Sequence, residues 1–219
     1  MKILVNSYPR SGTTTFVDAT RMAALDEMIQ FGEDFFHREK WIAKSHIPVL
    51  FLGNFPENIV IATVIRDPID AIASNCFRWA NGHTGNIVQG KIVVDKTREI
   101  KENKFDDILK DLIRHQTQQY IAYYSCLKNG SKNIKIFSYE DTQTKIIKCV
   151  NRIIDYAKGN KNNLNYEAAI YTVNNPPQPT KEKTELYYQI RDYIKSLNLI
   201  DECYMLYNEM ILLKEKFDE

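Results

Sequence analysis

The sequence predicts an α/β fold of three layers, a parallel sheet flanked by helices. Three observations carry that expectation. Short apolar, β-branched runs alternate with longer segments of helical period along the 219 residues, the pattern of strands joined by helical crossovers. One run, residues 58–65 (Asn-Ile-Val-Ile-Ala-Thr-Val-Ile), is almost continuously apolar, as a central strand covered on both faces should be. Two runs end in polar turns that open directly into helices, at Ser7–Thr13 and at Arg66–Pro68.

In order, residues 2–6 form the first strand, with Ile3, Leu4 and Val5 as its apolar run. A helix follows from 13 to about 30, with Phe16, Ala19, Met22 and Ala23 at helical spacing. Glu33 to His37 is a loop or short helix. Trp41 to Lys44 is a second, short strand; it runs into Ser45-His46-Ile47-Pro48, where the proline marks a break or a helix start. After the central strand, Asp67 suits an N-cap and Pro68 the first helical position, with a helix to about Trp79. Residues 80–104 carry Gly82, Gly85 and Gly90 and then a charged stretch. They read as a long excursion, a candidate lid or acceptor loop. Residues 105–128 return to helical period, with Ile108, Leu112, His115 and Gln119 on one face, and Asn129-Gly130 ends them. Asn133 to Ser138 is another strand. Tyr139 opens a helix through about Lys158, followed by a polar loop to Asn163 and a helical turn at 166–172. Asn174 to Pro179 is a loop, and helices near 182–197 and 200–215 follow it. No internal repeat divides residues 1–219, which read as a single domain.

Composition narrows the function. Hydrophobic residues make up 44% of the chain, enough for a sizeable core, and the net charge is +1. That balance calls for neither a nucleic-acid nor a membrane-surface partner. Cys76, Cys126, Cys149 and Cys203 are widely spaced with no Cys-x-x-Cys pair, which argues for free thiols in a reducing compartment rather than a metal site or disulfide framework. No signal peptide or apolar run of membrane-spanning length is visible, so a cytoplasmic location is expected. Nothing in the sequence specifies an oligomeric state.

The richest stretch is Ser7-Tyr-Pro-Arg-Ser-Gly-Thr-Thr-Thr-Phe16. Strand, tight turn and helix are the setting in which backbone N–H groups and a helix N-terminus hold a phosphate. Gly12 permits close approach of the backbone, Thr13, Thr14 and Thr15 add hydroxyls, and Arg10 adds a fixed charge. The loop is not a Walker A sequence, which needs Gly-x-x-x-x-Gly-Lys-Ser/Thr. Ser7 stands where the first Gly would be, Thr13 where the Lys would be, and the cation has moved to Arg10. A P-loop-like sheet without the Walker Lys argues against a standard ATP or GTP hydrolase.

Residues 8–14 resemble the first signature of sulfotransferases that use 3'-phosphoadenylyl sulfate (PAPS), which reads Tyr-Pro-Lys/Arg-Ser-Gly-Thr-Thr. Arg66-Asp-Pro-Ile-Asp-Ala-Ile-Ala-Ser74 resembles their second signature, which implies that Arg66 and Ser74 contact the donor's 3'-phosphate. Lys44-Ser-His-Ile-Pro48 resembles the Lys-Thr-His-Leu-Pro of the cytosolic members, which implies His46 as general base. An acceptor hydroxyl needs a base that works near neutral pH, and histidine suits. Charge building on the leaving phosphate oxygen suits Lys44 and Arg10. Tyr139-Glu140-Asp141 resembles the family's Tyr-Glu-Asp, which implies Tyr139 near the adenine.

The resemblance implies transfer of a sulfuryl group from PAPS to a hydroxyl or amine, with Arg10, Ser11, Gly12, Thr13, Thr14 and Thr15 on the 5'-phosphosulfate and no metal. Some carbohydrate sulfotransferases use a carboxylate base, which makes Glu33 or Asp34 the fallback. The acceptor is a small molecule, a carbohydrate or a lipid. The chain departs from the family late. The Arg-Lys-Gly and Gly-x-x-Gly-Asp-Trp segment that caps the nucleotide is absent, and Lys181 and Lys183 read as solvated helix charges. Two other classes stay open: a P-loop small-molecule kinase, which would need Mg²⁺ and a loop Lys, and an inactive nucleotide-binding module. His37, His83 and His115 have no catalytic context.

Overall fold

Four parallel strands form one sheet in the order β2-β1-β3-β4: β1 Lys2–Asn6, β2 Trp41–Ser45, β3 Ile59–Ile65 and β4 Lys135–Ser138. The computed structural model describes residues 1–24, 40–48, 50, 56, 58–80, 105–129, 134–176 and 183–216. The expected end of the first helix beyond residue 24, the candidate carboxylates Glu33 and Asp34, the excursion at 81–104 and Lys181 lie outside those residues.

The predicted fold class holds. Eight helices among the described residues flank the sheet: α1 Thr13–Ala24, α2 Pro68–Ala80, α3 Asp107–Lys128, α4 Tyr139–Thr144, α5 Ile146–Tyr156, α6 Tyr166–Asn174, α7 Glu185–Lys195 and α8 Ile200–Lys216. The strands are apolar on both faces because both are covered. Along β3, Ile61 and Ile65 join one core with α2, α3, α7 and α8, whereas Ala62 and Val64 join the other with α1, α5 and α6. Alternate residues of a strand point to opposite faces, so these two cores are the two interfaces, sheet against helices, of a three-layer arrangement.

The chain places β2 on one side of β1 and then returns to place β3 on the other. The C-terminal ends of β1 and β3 therefore form the crevice where strand order reverses, the position that binds ligands in open α/β sheets. The turn at Ser7 leaves β1 there, and Arg66 leaves β3 beside it.

Two elements differ from the sequence pattern. The buried face of α3 runs through Leu109, Leu112, Ile113, Gln116, Tyr120 and Tyr124, so Ile108, His115 and Gln119 sit at its half-buried margin. Tyrosines drive the rotation. The Tyr120, Tyr123 and Tyr124 rings pack on one another with centroids 4.3–5.8 Å apart, burying aromatic area that outweighs their hydroxyls. The helix expected over 139–158 is broken at Lys145, whose φ of −130° and ψ of 38° leave the helical region. Just before the break, Thr142 and Thr144 hydroxyls donate back to the carbonyls of Tyr139 and Glu140, a habit of β-branched alcohols that bends helices. Asp67 caps α2 as expected, its carboxylate accepting from the Asp70 N–H at 3.0 Å.

Candidate active site

The loop between β1 and α1 is shaped by its backbone. Arg10 has φ 66° and Gly12 φ 84°; two left-handed residues so close turn the chain sharply into the helix. Gly12 also permits a close approach, because a Cβ there would lie 2.7 Å from the Tyr139 ring. Ser7 explains why no glycine is needed at the loop's start. Its buried hydroxyl accepts from the Val64 N–H at 2.8 Å, extending the β1–β3 ladder past the last paired backbone groups. Tyr8 anchors the loop from below. It is buried, its hydroxyl bonds Gln116 at 3.2 Å, and its ring meets Tyr120 edge-on at 5.1 Å. Gln116 in turn accepts from Asn75 at 2.8 Å, so the loop is tied to both α2 and α3.

The predicted side chains converge on this loop from three elements. From the end of β2, Lys44 Nζ donates to Thr14 Oγ1 at 3.2 Å. His46 follows, with Nδ1 2.6 Å from the Ser7 carbonyl. A carbonyl can only accept, so Nδ1 carries the proton and the neutral ring keeps its lone pair on Nε2. From the end of β3, Arg66 Nη1 donates to the Arg10 carbonyl at 2.9 Å. The Arg66 guanidinium also lies 4.3 Å from the centroid of the Tyr139 ring, a cation–π contact. From α2, Ser74 Oγ accepts from Arg10 Nε at 3.3 Å. Ser74 thus stands beside Arg10, whose carbonyl Arg66 holds. Ser11 and Thr13 are buried under the loop, and Thr15 is half-buried in the first turn of α1. Lys183 is exposed, with its ammonium 4.8 Å from the Tyr187 ring centroid, consistent with a solvated helix charge.

Electrostatics set the site apart. Burial, then the charges of Arg78 and Arg66, lowers the Arg10 pKa. Burial likewise lowers that of Lys44, with Asp18 opposing. His46 is exposed to solvent. Desolvation lowers its pKa below 6.5, the Ser7 carbonyl opposing and Lys44 and Arg78 adding to it. Mutually repelling cations at the end of a parallel sheet suit a polyanion. No cluster of three or more metal-ligating side chains occurs among the described residues, and no helix among them is long and apolar enough to cross a membrane.

The family comparisons are sparse. No family model matches the chain, and no curated protein matches it. Among solved structures the chain is similar to mouse sulfotransferase SULT7A1 complexed with PAP, at 15% identity and TM-score 0.49, covering 99% of this chain and 88% of that one. It is also similar to a sulfotransferase from Alicyclobacillus acidocaldarius, at 11% identity and TM-score 0.43, covering 99% of this chain and 94% of that one. Similarity of that order bears on neither activity nor site.

Four residues at the site carry no local sequence signal. Asn6, fully buried, clamps Ile47 from both sides: its amide donates to the Ile47 carbonyl at 2.8 Å and accepts from the Ile47 N–H at 3.1 Å. Ser7 supplies the carbonyl that orients His46. Tyr120 donates to the Arg66 carbonyl at 3.0 Å, and Arg78 acts through its charge. Asn6→Ala should cost about 1–3 kcal/mol of stability, the usual penalty for stranding hydrogen-bonded groups, read as a lower midpoint in urea unfolding. An unchanged midpoint would mean that the clamp holds nothing.

Proposed function

We propose that this protein is a sulfotransferase that moves a sulfuryl group from PAPS to a hydroxyl or amine of an acceptor. The observation that carries the reading is the seating of His46 on the loop itself. The Ser7 carbonyl accepts a hydrogen bond from Nδ1–H, which leaves a basic Nε2 beside an anion-binding turn. A loop built only to hold a nucleotide has no use for a base fixed to it in this tautomer.

The residues present fit the donor. Thr13 Oγ1 is buried with no hydrogen-bond partner among the described residues, a state that a phosphate oxygen would relieve. Gly12 opens the turn to close approach, and the first N–H groups of α1 face the loop without helical partners. Arg10, Ser11, Gly12, Thr13, Thr14 and Thr15 hold the 5'-phosphosulfate in this reading. Arg66 and Ser74 hold the 3'-phosphate in this reading, Ser74 also accepting from Arg10 Nε. Tyr139 stacks on Arg66 and flanks the adenine in this reading. The donor supplies an activated sulfuryl group, whose bond to the acceptor oxygen forms as its bond to the 5'-phosphate oxygen breaks.

The chain's own side chains do the rest. His46 Nε2 accepts the acceptor's proton. Lys44, held at Thr14, and Arg10 face the oxygen on which negative charge develops, a stabilisation that grows toward the transition state. No metal is required, because the charge falls between fixed cations. The acceptor is a small molecule, carbohydrate or lipid, and the setting is cytoplasmic.

The test is a calorimetric titration with the desulfated product, 3'-phosphoadenosine 5'-phosphate (PAP), set against ADP with Mg²⁺. Tight, metal-independent binding of PAP is the expected outcome. A preference for ADP with Mg²⁺ would instead make the protein a kinase of the P-loop type.

A further inference from the structure

Two residues, Arg66 and Asp67, connect the end of β3 to the start of α2, and tyrosines from two other helices hold them. The Arg66 carbonyl accepts from the Tyr120 hydroxyl of α3 at 3.0 Å. Asp67 uses its two carboxylate oxygens separately. Oδ1 caps α2, accepting from the Asp70 N–H at 3.0 Å, and Oδ2 accepts from the Tyr204 hydroxyl of α8 at 3.0 Å. Tyr120 is fully buried and Tyr204 half-buried. Burial, then the bond to Asp67, pushes the Tyr204 pKa up to about 12, so its hydroxyl stays a donor near neutral pH. The two tyrosine bonds span 54 and 137 positions, and neither shows as a motif.

The guanidinium that leaves this turn is oriented by neutral groups. Its Nη1 donates to the Arg10 carbonyl at 2.9 Å, and it lies 4.3 Å from the Tyr139 ring centroid. A carbonyl and a ring orient a cation without neutralising its charge. Where that charge points depends on the backbone of Arg66, which the Tyr120 bond restrains. Whether it stays available to a ligand depends on Asp67. A carboxylate free to turn, on the residue next to Arg66, could pair with the guanidinium and compete with a phosphate. Tyr204 directs to α8 the one oxygen of Asp67 that the helix cap leaves over.

We propose that Tyr120 and Tyr204 position Arg66 and thereby set the preference for a nucleotide that carries a 3'-phosphate over one that does not. This rests on the sulfotransferase reading, in which Arg66 contacts that phosphate, and deepens it. Both tyrosines are positioning residues, and neither needs to touch the ligand. A looser Arg66 loses its grip on the 3'-phosphate, while the 5' end stays with the loop between β1 and α1. The two ends of the nucleotide therefore report on the tyrosines separately.

The experiment titrates the full chain calorimetrically with PAP and with adenosine 5'-phosphate, which lacks the 3'-phosphate. Tyr204→Phe removes one hydroxyl and keeps the ring. It should weaken PAP about tenfold, the order expected for losing a bond to a charged group, and leave adenosine 5'-phosphate within about twofold. Tyr120→Phe should show the same selective loss, and it carries the test if a thermal melt finds Tyr204→Phe unfolded. In an Arg66→Ala background either substitution should change PAP affinity by less than about twofold, because the group it positions is gone. A general loosening of the fold would weaken both nucleotides alike and would add to Arg66→Ala; either result overturns the inference. So does unchanged PAP affinity in a folded variant, and so does loss of folding in both, which would make the tyrosines supports of the fold alone. If the wild type binds the two nucleotides equally, or takes up neither, the sulfotransferase reading fails and this inference falls with it. If it prefers PAP and the folded variants keep that preference, only this inference fails.

Discussion

Replacing His46 with alanine should lower kcat by about 10²–10⁴-fold, the usual contribution of a positioned general base, and leave PAP affinity within a few-fold. The reasoning starts from the tautomer. Nδ1 is committed to the Ser7 carbonyl, so the ring offers one basic nitrogen in a fixed direction. Alanine removes that nitrogen without adding bulk, and the one loop contact it deletes is the bond to the Ser7 carbonyl, away from Arg10 to Thr15. The pH profile of the wild type gives an independent check. Burial and the charges of Lys44 and Arg78 lower the His46 pKa below 6.5. A base is active when neutral, so kcat/KM should be flat near pH 7–8 and fall as pH drops through a value below 6.5. In His46→Ala that limb should vanish. Full transfer activity in the variant, with any acceptor that the wild type sulfates, would remove His46 from the mechanism.

The second large effect is expected from Gly12→Ala, which should weaken PAP binding tenfold or more. Two costs coincide. A left-handed φ of 84° carries about 1–2 kcal/mol for a residue with a Cβ, and about 1.4 kcal/mol is a factor of ten in affinity. The added methyl would also lie 2.7 Å from one atom of the Tyr139 ring and 3.0 Å from the next. That ring cannot swing away without consequence, because Arg66 stacks on it and is tied to the Arg10 carbonyl. Displacing Tyr139 therefore disturbs the cation assigned to the far phosphate as well as the near turn. Calorimetry with PAP measures the loss. An affinity within twofold of wild type would mean that the loop's shape is not what binds the donor.

The sequence made some of this legible. The strand and helix order follows from hydrophobic period, and the double-sided burial of β3 was visible in its unbroken β-branched run. Arg10, Lys44, His46 and Arg66 stood out because each sits within a few residues of a strand end, where local pattern is strong. What stayed hidden was hidden for physical reasons. Asn6 and Ile47 pair across 41 positions, and an asparagine at the end of a strand otherwise reads as an ordinary strand-terminating residue. The contact between Arg10 and Ser74 spans 64 positions and depends on the sharp turn at Arg10. The α3 tyrosines count as polar in a simple pattern, so the buried face was placed one step away. The break at Lys145 has no Gly or Pro to announce it; it follows from the threonine hydroxyls and from Asp141, which Lys145 and Lys214 both engage. Burial alone would raise the Asp141 pKa, but those two ammonium groups hold it below its ordinary value.

The last two helices reach back to the loops that carry the candidate site. Arg191 pairs with Asp70, the Tyr204 hydroxyl donates to Asp67, and Lys214 pairs with Asp141. Each of those carboxylates stands one to four residues from Arg66 or Tyr139. The sheet is encoded before residue 139, but its active edge is fastened by residues translated about 50 to 75 positions later. During synthesis the strands can meet while the ribosome still holds the final helices. The nascent chain thus acquires its architecture before its chemistry, and a ribosome stalled in α7 would carry an assembled sheet with an unlatched site.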